Sequence, residues 1–230
     1  MALADRPTLI TISSPKGGVG KTVTTILLAG EYAQFGHKVL VIDTDPQQSV
    51  MSWYNNSVRS GYPLNNIEAV SDPDAKKLRD RLLSPQGETI ILIDIQGTAA
   101  AALSGAVNNA HFVVIPTKAH IFDVQQAIGL VSTIEMMQGL DRKIPYGVFL
   151  NQVNGIDKNT LAFRTATKAL MDSKVNVLDS FLSLRPTFAG IATAGSLYEV
   201  EGTSNAIRDA RDQSNALAGE IISRLNEATP

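Results

Sequence analysis

The 230-residue sequence contains no cysteine, and it has neither a long apolar run nor a marked excess of either charge. Without cysteine the chain cannot form disulfides, thiolate zinc sites or cysteine-ligated iron–sulfur clusters. No apolar stretch approaches the ~20 residues that a membrane-spanning helix needs, and residues 1–7 lack the charged and apolar regions of a signal peptide. The sequence therefore predicts a cytoplasmic protein.

The net charge of −2 does not by itself indicate a nucleic-acid-binding protein, because such domains usually carry a basic excess. The charge is distributed unevenly, however, since residues 142–185 hold seven basic side chains against three acidic ones. A stretch of this kind is either a solvated surface or a contact for a polyanion. Its basic members are Arg142, Lys143, Lys158, Arg164, Lys168, Lys174 and Arg185.

Seven short apolar, β-branched segments alternate with helical patterns along the chain. Most of these segments are apolar throughout, which is typical of strands covered on both faces in a parallel sheet. The alternation predicts a single α/β domain over residues 1–230, a three-layer, doubly wound fold with a mainly parallel sheet. The predicted strands are Thr8–Ile12, Val39–Asp43, Ile67–Val70, Thr89–Ile95, Phe112–Pro116, Tyr146–Val153 and Val175–Leu178. The predicted helices are Lys21–Phe35, Pro73–Leu83, Val124–Gln138, Asn159–Met171 and Thr203–Ile222.

A small, glycine-rich loop, Ser13–Gly20, connects the first predicted strand to the first predicted helix. Its glycines let successive backbone N–H groups turn toward an anion, and the helix that follows adds the positive end of its dipole. Lys21 supplies a charge to the β- and γ-phosphates of a nucleotide, and the Thr22 hydroxyl completes a Mg²⁺ shell. A strand before the loop and a helix after it favour this interpretation over a ligand-free glycine turn. The loop therefore predicts a P-loop NTPase.

The loop departs from the usual pattern at its start, where Pro15 takes the place of a glycine. Its segment Lys16–Thr22, with the sequence KGGVGKT, resembles the deviant Walker A loop of the ParA/MinD superfamily of dimerising ATPases. Val39–Gln47 resembles the second motif of that superfamily, and Ile90–Gly97 resembles its Walker B and switch region. The resemblance covers the whole chain, most strongly its first 120 residues. It favours small plasmid-partition ParA proteins of the ParF type and, nearly as well, VirC-type accessory ATPases of T-DNA transfer.

The resemblance implies ATP and Mg²⁺ as cofactors and a slow, Mg-dependent ATP hydrolysis. It implies that Lys16 reaches the nucleotide of a partner subunit, that Lys21 acts on the phosphates of its own subunit, and that Asp45 positions the attacking water. The implied metal-shell residues are Thr22, Asp43 and Asp94. The implied nucleotide contacts are Gly17, Gly18, Val19, Gly20, Lys21, Thr22 and Val23, with Gly97 at the γ-phosphate and Asn151 at the adenine.

Several of these polar residues also have a structural interpretation. Asp94 ends an apolar strand, either as a Walker B carboxylate beside Mg²⁺ or as an ordinary strand-end aspartate. Asp45 precedes Pro46 and would start a turn in the same position. Asn151 either presents its amide to a base edge or ends a strand. The residues alone leave ATP and GTP open, and the family resemblance favours ATP.

The basic stretch ends at Leu184–Pro186, which resembles the ParA position where a basic residue contacts the DNA backbone. The candidate DNA-binding residues are Arg185, Lys168, Arg164, Arg208 and Arg211. Contacts to phosphates would give sequence-independent, salt-sensitive affinity, and a dimer would double the basic surface. The structural alternative is that these residues form ion pairs with Asp179 or Asp209.

The resemblance implies an ATPase for DNA segregation or cargo positioning that is cytoplasmic and nucleoid-associated. Its ATP-dependent homodimer, or a higher polymer, would bind non-specific DNA until a ParB-like or other adaptor protein stimulates hydrolysis. A conjugative or T-DNA transfer accessory, a carboxysome or chemoreceptor positioning protein, and a filament-forming ATPase are the alternatives. A MinD-like membrane cycler is disfavoured, and no membrane partner is expected, because Leu217–Glu227 carries two glutamates and one arginine where a lipid anchor needs a basic face.

Overall fold

The computed structural model describes residues 7–72, 78, 80–82, 85–95, 100–138, 143–199 and 204–228, with the backbone alone for 100–104. Within these residues, six strands form a parallel sheet in the order β3-β2-β4-β1-β5-β6. The strands are β1 (Thr8–Ile12), β2 (Val39–Asp43), β3 (Ile67–Ser71), β4 (Ile90–Asp94), β5 (Phe112–Thr117) and β6 (Tyr146–Leu150). The helices are α1 (Lys21–Gln34), α2 (Ser49–Arg59), α3 (Ala100–Asn109), α4 (Ile121–Met137), α5 (Leu161–Asp172), α6 (Pro186–Ile191) and α7 (Asn205–Ala228), and Asp157–Asn159 forms a 3₁₀ turn.

Helices cover both faces of the sheet, which confirms the predicted three-layer, doubly wound α/β fold. On one face, α1, α2, α6 and α7 pack on the strands in a continuous apolar core. On the other face, α4 and α5 pack on β5 and β6, and α3 contributes to the cores beneath it. The strands are apolar on both sides because both sides are buried, which is why they read as continuous apolar runs.

The strand order places the phosphate loop at a switch point of the sheet. The chain leaves β1 toward β2 on one side, and it leaves β4 toward β5 on the other side. Because β1 and β4 are neighbours whose crossovers run in opposite directions, a crevice opens between the segments that follow them. Ile12 lies beside Asp94 in the β1–β4 register, and Asp43 lies beside Asp94 in the β2–β4 register. The loop and both aspartates therefore meet at one edge of the sheet.

The seventh predicted strand, Val175–Leu178, is wrong. Val177 makes an isolated bridge to Val148 of β6, and no ladder extends from it. The Glu220 carboxylate of α7 accepts the N–H groups of Asp179 and Ser180 at 2.9 and 2.8 Å, so these two residues do not continue the pairing with β6. The pairing resumes where the Leu182 N–H donates to the Leu150 carbonyl at 3.0 Å. The sixth strand, predicted to extend to Val153, ends at Leu150, and Val153 makes a second isolated bridge, to Ser183.

Four predicted helices are confirmed, three of them within three residues at each end, and α7 extends six residues beyond its predicted end at Ile222. Three helices of the described residues were not predicted. The sequence patterns missed α2, α3 and α6. The predicted helix Pro73–Leu83 lies largely outside the described residues, of which 78 and 80–82 are helical. Among the described residues, no helix combines the length and the apolar character needed to cross a bilayer.

Candidate nucleotide-binding site

The segment between β1 and α1 forms a cradle of backbone N–H groups. Gly18 and Gly20 adopt positive φ angles of 72° and 91°, which L-residues with a side chain rarely adopt. Gly20 is the residue immediately before α1, and a Cβ at this position would collide with the Asn151 side chain. A loop of this shape at the start of a helix is an anion site, because its N–H groups and the helix dipole act on the same point. Val19 is buried, and Val23 is half-buried in the first turn of α1.

The two lysines of the loop differ in their positions. Lys16 and the two glycines that follow it are exposed. The Lys21 ammonium donates to the Lys16 carbonyl oxygen at 3.3 Å, so its charge folds back over the loop. This geometry places Lys21 beside any phosphate that the loop holds, and it leaves Lys16 on the outer surface.

Two amide side chains that follow β6 support the cradle from the side. The Asn151 Nδ2 atom donates to the Val19 carbonyl at 2.8 Å, and the Gln152 Nε2 atom donates to the Gly18 carbonyl at 3.2 Å. The Asn151 Oδ1 atom accepts the Gln152 N–H at 2.8 Å, so both ends of the Asn151 amide are engaged within the chain. The adenine contact expected of Asn151 stays a prediction, and Gln152 was missed because nothing in its sequence context points to the loop.

Thr22 and Asp94 form the polar centre of the crevice. The Thr22 hydroxyl donates to Asp94 Oδ2 at 2.8 Å. Asp94 is 2% exposed, and its buried Oδ1 atom has no hydrogen-bond partner among the residues that the structure describes. Burial raises the pKa of the Asp94 carboxyl to about 7, with smaller effects from the Thr22 hydroxyl, which lowers it, and the Asp43 charge, which raises it. A buried carboxylate oxygen without a partner, beside a hydroxyl, is a place where a divalent cation would restore the missing interaction.

Asp43 has a structural role that the sequence analysis did not predict. Its Oδ2 atom accepts the N–H groups of Val50 and Met51 at 2.9 and 3.2 Å, and its Oδ1 atom accepts the Asp45 N–H at 3.0 Å. Asp43 therefore caps the first turn of α2, whose free N–H groups need acceptors. Burial raises the pKa of the Asp43 carboxyl above its ordinary value. The magnesium role of Asp43 stays a prediction. Both of its carboxylate oxygens already accept hydrogen bonds, so a cation would bind in addition to those donors.

Asp45 lies just beyond the carboxyl end of β2 and is half-buried. Its Oδ1 atom accepts the Gln47 N–H at 2.9 Å, which is the turn geometry expected of an aspartate before a proline. The second oxygen leaves an acceptor for a ligand. The neighbouring Thr44 anchors this segment to β4, since its hydroxyl donates to the Asp94 carbonyl at 2.9 Å. The role of Asp45 in orienting an attacking water stays a prediction. The predicted γ-phosphate contact, Gly97, lies outside the described residues.

The donor set suits magnesium held between protein and phosphates. Among the described residues, no group of three or more His, Cys, Asp or Glu side chains could enclose a metal ion. Magnesium typically keeps several waters and binds through one or two carboxylates together with the phosphates of a substrate. Thr22, Asp43 and Asp94 fit that arrangement, and the free Asp94 oxygen is the observation that supports it.

The five basic DNA candidates do not form one helical surface. Arg164 and Lys168 lie on α5, and Arg208 and Arg211 lie on α7, which packs on the opposite face of the sheet. A common surface for these residues would therefore have to pass around the β6 edge of the sheet.

The contacts of these residues also differ. Arg185 is only 21% exposed in its side chain and lies 3.4 Å from the Asp209 carboxylate, which is the structural alternative stated above. Arg211 donates to the Leu197 carbonyl at 3.0 and 2.9 Å. Arg208, which is exposed, donates to the Asn205 side chain. Lys168 pairs with Asp172 at 2.6 Å while remaining 74% exposed, and Arg164, also exposed, donates to the Asn159 carbonyl at 3.0 Å.

Known proteins share both this sequence pattern and this fold. The chain is 25% identical to Protein ParA of Rhizobium radiobacter over 96% of its own length and 98% of that protein. It is 24% identical to the chromosome-partitioning ATPase Soj of Thermus thermophilus over 95% of its length and 97% of that protein. A solved structure from Borrelia burgdorferi B31, described as a plasmid partition protein bound to AMPPNP, superposes with a TM-score of 0.71 at 21% identity and covers 94% of this chain and 100% of that one.

A family description also matches most of the chain. The CobQ/CobB/MinD/ParA nucleotide binding domain matches residues 10–197, which include the phosphate loop, both crevice aspartates and Asn151. The ParA/MinD resemblance and the P-loop NTPase fold expected from the sequence are thereby confirmed. The chain belongs to the CobQ/CobB/MinD/ParA nucleotide binding domain family.

Proposed function

We propose that this chain, a ParA-type ATPase for segregation or positioning, binds Mg-ATP in the crevice between β1 and β4 and dimerises around it. The observation that supports this most directly is the pairing of the Thr22 hydroxyl with a buried Asp94 whose second oxygen has no partner within the described part of the chain. That pair lies at the end of a glycine cradle suited to phosphates. The Borrelia burgdorferi B31 structure contains AMPPNP, a triphosphate analogue, which is consistent with a triphosphate here.

The residues around the crevice have separate proposed roles. Lys21 and the loop N–H groups bind the phosphates, and Asp45 holds a water in line with the γ-phosphate. Mg²⁺, when bound beside Thr22 and Asp94, would neutralise charge that develops on the phosphate oxygens. The phosphate loop supplies lysines and no arginine, so unstimulated turnover on the order of 10⁻⁴–10⁻³ s⁻¹ is expected, as in unassisted GTPases. Such slow hydrolysis suits a timer that an adaptor protein triggers.

We propose that Lys16 couples nucleotide binding to dimerisation. It is exposed on the outer side of the loop, where it can reach the nucleotide of a second copy. Lys16→Ala should therefore keep monomer binding of Mg-ADP unchanged. The same variant should weaken the AMPPNP-dependent dimer at least tenfold and lower ATP hydrolysis at least tenfold, because charges supplied in trans are worth about 10³–10⁵ in related phosphoryl transfers. Analytical ultracentrifugation and phosphate release measure the two effects.

Lys38→Ala is the matched control for Lys16→Ala. Lys38 is an exposed lysine next to the amino end of β2, at the opposite edge of the sheet from the loop. The Lys38→Ala chain should dimerise and hydrolyse ATP as the wild type does. A wild-type chain that stays monomeric with AMPPNP, or a Lys16→Ala chain that dimerises equally well, would contradict the role of Lys16.

We propose that the ATP-bound dimer holds duplex DNA non-specifically through basic side chains and that the chain is nucleoid-associated. Arg185 and the exposed Arg208 lie on neighbouring segments at α6 and α7, so they are the preferred pair on that face of the sheet. Phosphate contacts would make the affinity fall steeply with salt, and dimerisation would raise the affinity by placing two such surfaces on one duplex. Duplex binding should therefore require ATP and decrease from 50 to about 200 mM salt.

Arg185→Glu tests this surface. Compared with Lys38→Glu, which makes the same change of charge elsewhere, it should weaken ATP-dependent duplex binding about tenfold and flatten its salt dependence. ATP turnover should stay within twofold of the wild type. Fluorescence anisotropy with ATP, ADP and no nucleotide at both salt concentrations measures the binding. Equal DNA affinity of the two variants would reject the Arg185 surface, and binding that ignores the nucleotide would reject the switch.

A membrane-bound version of this cycle is disfavoured by the packing of α7. The apolar side chains that such an anchor would insert, Leu217, Ile221 and Leu225, are buried in the core shared with α1. They are not available to a bilayer while the helix stays packed. DNA is therefore the surface that we propose for the ATP-bound dimer.

A further inference from the structure

The phosphate loop is held by the two residues that directly follow β6. Asn151 and Gln152 are adjacent in sequence, and their amide nitrogens donate to the adjacent carbonyls of Val19 and Gly18. Asn151 is itself fixed to β5, because its N–H donates to the Thr117 carbonyl at 2.7 Å. The sheet thus supports the loop through a pair of side chains 132 to 134 residues away in sequence.

The hydrogen-bond pattern determines which way these amides point. The Asn151 Oδ1 atom accepts the Gln152 N–H, so its Nδ2 atom is the one that faces the loop. The Gly18 carbonyl oxygen can only accept a hydrogen bond, so the Gln152 side-chain atom that faces it must be the amide nitrogen, Nε2. Both contacts therefore act on carbonyl groups, one from each of two successive peptide units.

Holding a carbonyl fixes the N–H of the same peptide unit. In a trans peptide the C=O and the following N–H point in opposite directions. When Gln152 holds the Gly18 carbonyl outward, the Val19 N–H points the other way, toward the cradle. When Asn151 holds the Val19 carbonyl, the Gly20 N–H is directed likewise. Two of the N–H groups that would bind phosphate are therefore oriented from β6, before any ligand arrives.

We propose that Gln152 is a positioning residue that holds the Gly18–Val19 peptide with its N–H directed at the nucleotide phosphates. This inference rests on the proposed nucleotide function and adds to it the residue that preorganises one phosphate donor. Gln152 has a positive φ of 55°, which is unfavourable for a residue with a side chain. That conformation lets consecutive residues, Asn151 and Gln152, both reach the loop.

Gln152→Met tests the positioning role, since methionine has nearly the same length and flexibility and lacks the donor. The Gly18–Val19 peptide would then be free to rotate, and Mg-ADP and Mg-ATP should each bind about 2- to 12-fold more weakly, the loss expected for one hydrogen bond. The loss should be equal for the two nucleotides, because the same N–H serves both. Isothermal titration measures it, and the ³¹P resonances of bound ADP should shift relative to wild type.

Gln138→Met is the matched control. The Gln138 Nε2 atom also donates to a backbone carbonyl, that of Ile144, at 3.2 Å, but it does so at the end of α4 away from the loop. This variant should bind both nucleotides as the wild type does and give unshifted ³¹P resonances. The urea midpoints of the two variants should be similar, which separates a local effect on the loop from a general loss of stability.

Three results would overturn the inference. If Gln152→Met binds Mg-ADP as tightly as Gln138→Met does, the contact does not position the loop. If only ATP binding is weakened, Gln152 acts at the dimer and not on the loop. If the wild type itself takes up no Mg-nucleotide, both the inference and the proposed function fail, whereas normal wild-type binding with an unaffected Gln152→Met removes the inference alone.

Discussion

Lys21→Ala is expected to abolish measurable Mg-ATP binding at micromolar concentrations. The Lys21 ammonium makes a 3.3 Å contact with the Lys16 carbonyl, so the side chain lies over the loop where phosphates would be bound. Its loss removes a charge-assisted contact worth roughly 1.5–3 kcal/mol, and each ~1.4 kcal/mol corresponds to a tenfold change in affinity. We therefore expect the dissociation constants of Mg-ATP and Mg-ADP to rise about 10- to 100-fold. Isothermal titration of the purified variant measures both.

The Lys21→Ala chain should remain folded, because a half-exposed side chain with a single long contact contributes little to stability. Lys38→Ala removes an exposed lysine at the other edge of the sheet and should bind both nucleotides normally. A Lys21→Ala chain that kept wild-type affinity within twofold would show that the glycine loop does not hold the phosphates. The proposed ATPase function would then lose its chemical basis.

The sheet could be predicted because its strands are buried on both faces. Val39–Asp43 and Ile90–Asp94 are buried at every position, so they appear in the sequence as uninterrupted apolar runs that end in aspartate. Their common carboxyl edge follows from parallel pairing, which is how two aspartates 51 residues apart come to lie side by side. The phosphate loop, the crevice and the layer order follow from the same pattern.

The features that could not be predicted depend on partners distant in sequence. The cap of α2 comes from Asp43, which precedes the helix by six residues and belongs to β2, so no local capping motif marks the start of α2. Val175–Leu178 has the composition of a strand, yet the next two N–H groups bond to Glu220 of α7, so the pairing with β6 does not continue as a ladder. A propensity rule that considers one segment at a time cannot predict either contact, because both partners lie in different segments.

The same limit applies to the candidate site. Motif spacing identifies Lys21, Thr22 and Asp94 because the chemistry of phosphate and magnesium demands those residue types. It cannot reveal Gln152, whose role depends on a positive φ and on where β6 ends. Nor can it separate a DNA-binding arginine from one that donates to a carbonyl of its own chain, as Arg211 does.

Asp94→Asn should make the ligand-free protein more stable at pH 8 while preventing Mg-dependent hydrolysis. Burial raises the pKa of the Asp94 carboxyl to about 7 from the ordinary 3.8, so the native state retains a proton that the unfolded chain releases. Stability therefore decreases as the pH rises from about 4 to about 7, and the whole penalty is present above pH 7. The shift corresponds to about 4 kcal/mol. Asparagine has no charge to bury and can still accept the Thr22 hydroxyl.

Urea unfolding of both chains at pH 5 and pH 8 measures this effect. The stability difference in favour of Asp94→Asn should be larger at pH 8 than at pH 5. The control Asp212→Asn, a change at an exposed aspartate of α7, should give no such difference.

Saturating Mg-ATP should stabilise the wild type much more than the Asp94→Asn chain, because a cation would offset the buried charge that only the wild type carries. An Asp94→Asn chain that is less stable than wild type at pH 8 would mean that the free carboxylate oxygen already has a compensating partner. An Asn variant that still hydrolyses ATP at the wild-type rate would remove Asp94 from the magnesium shell.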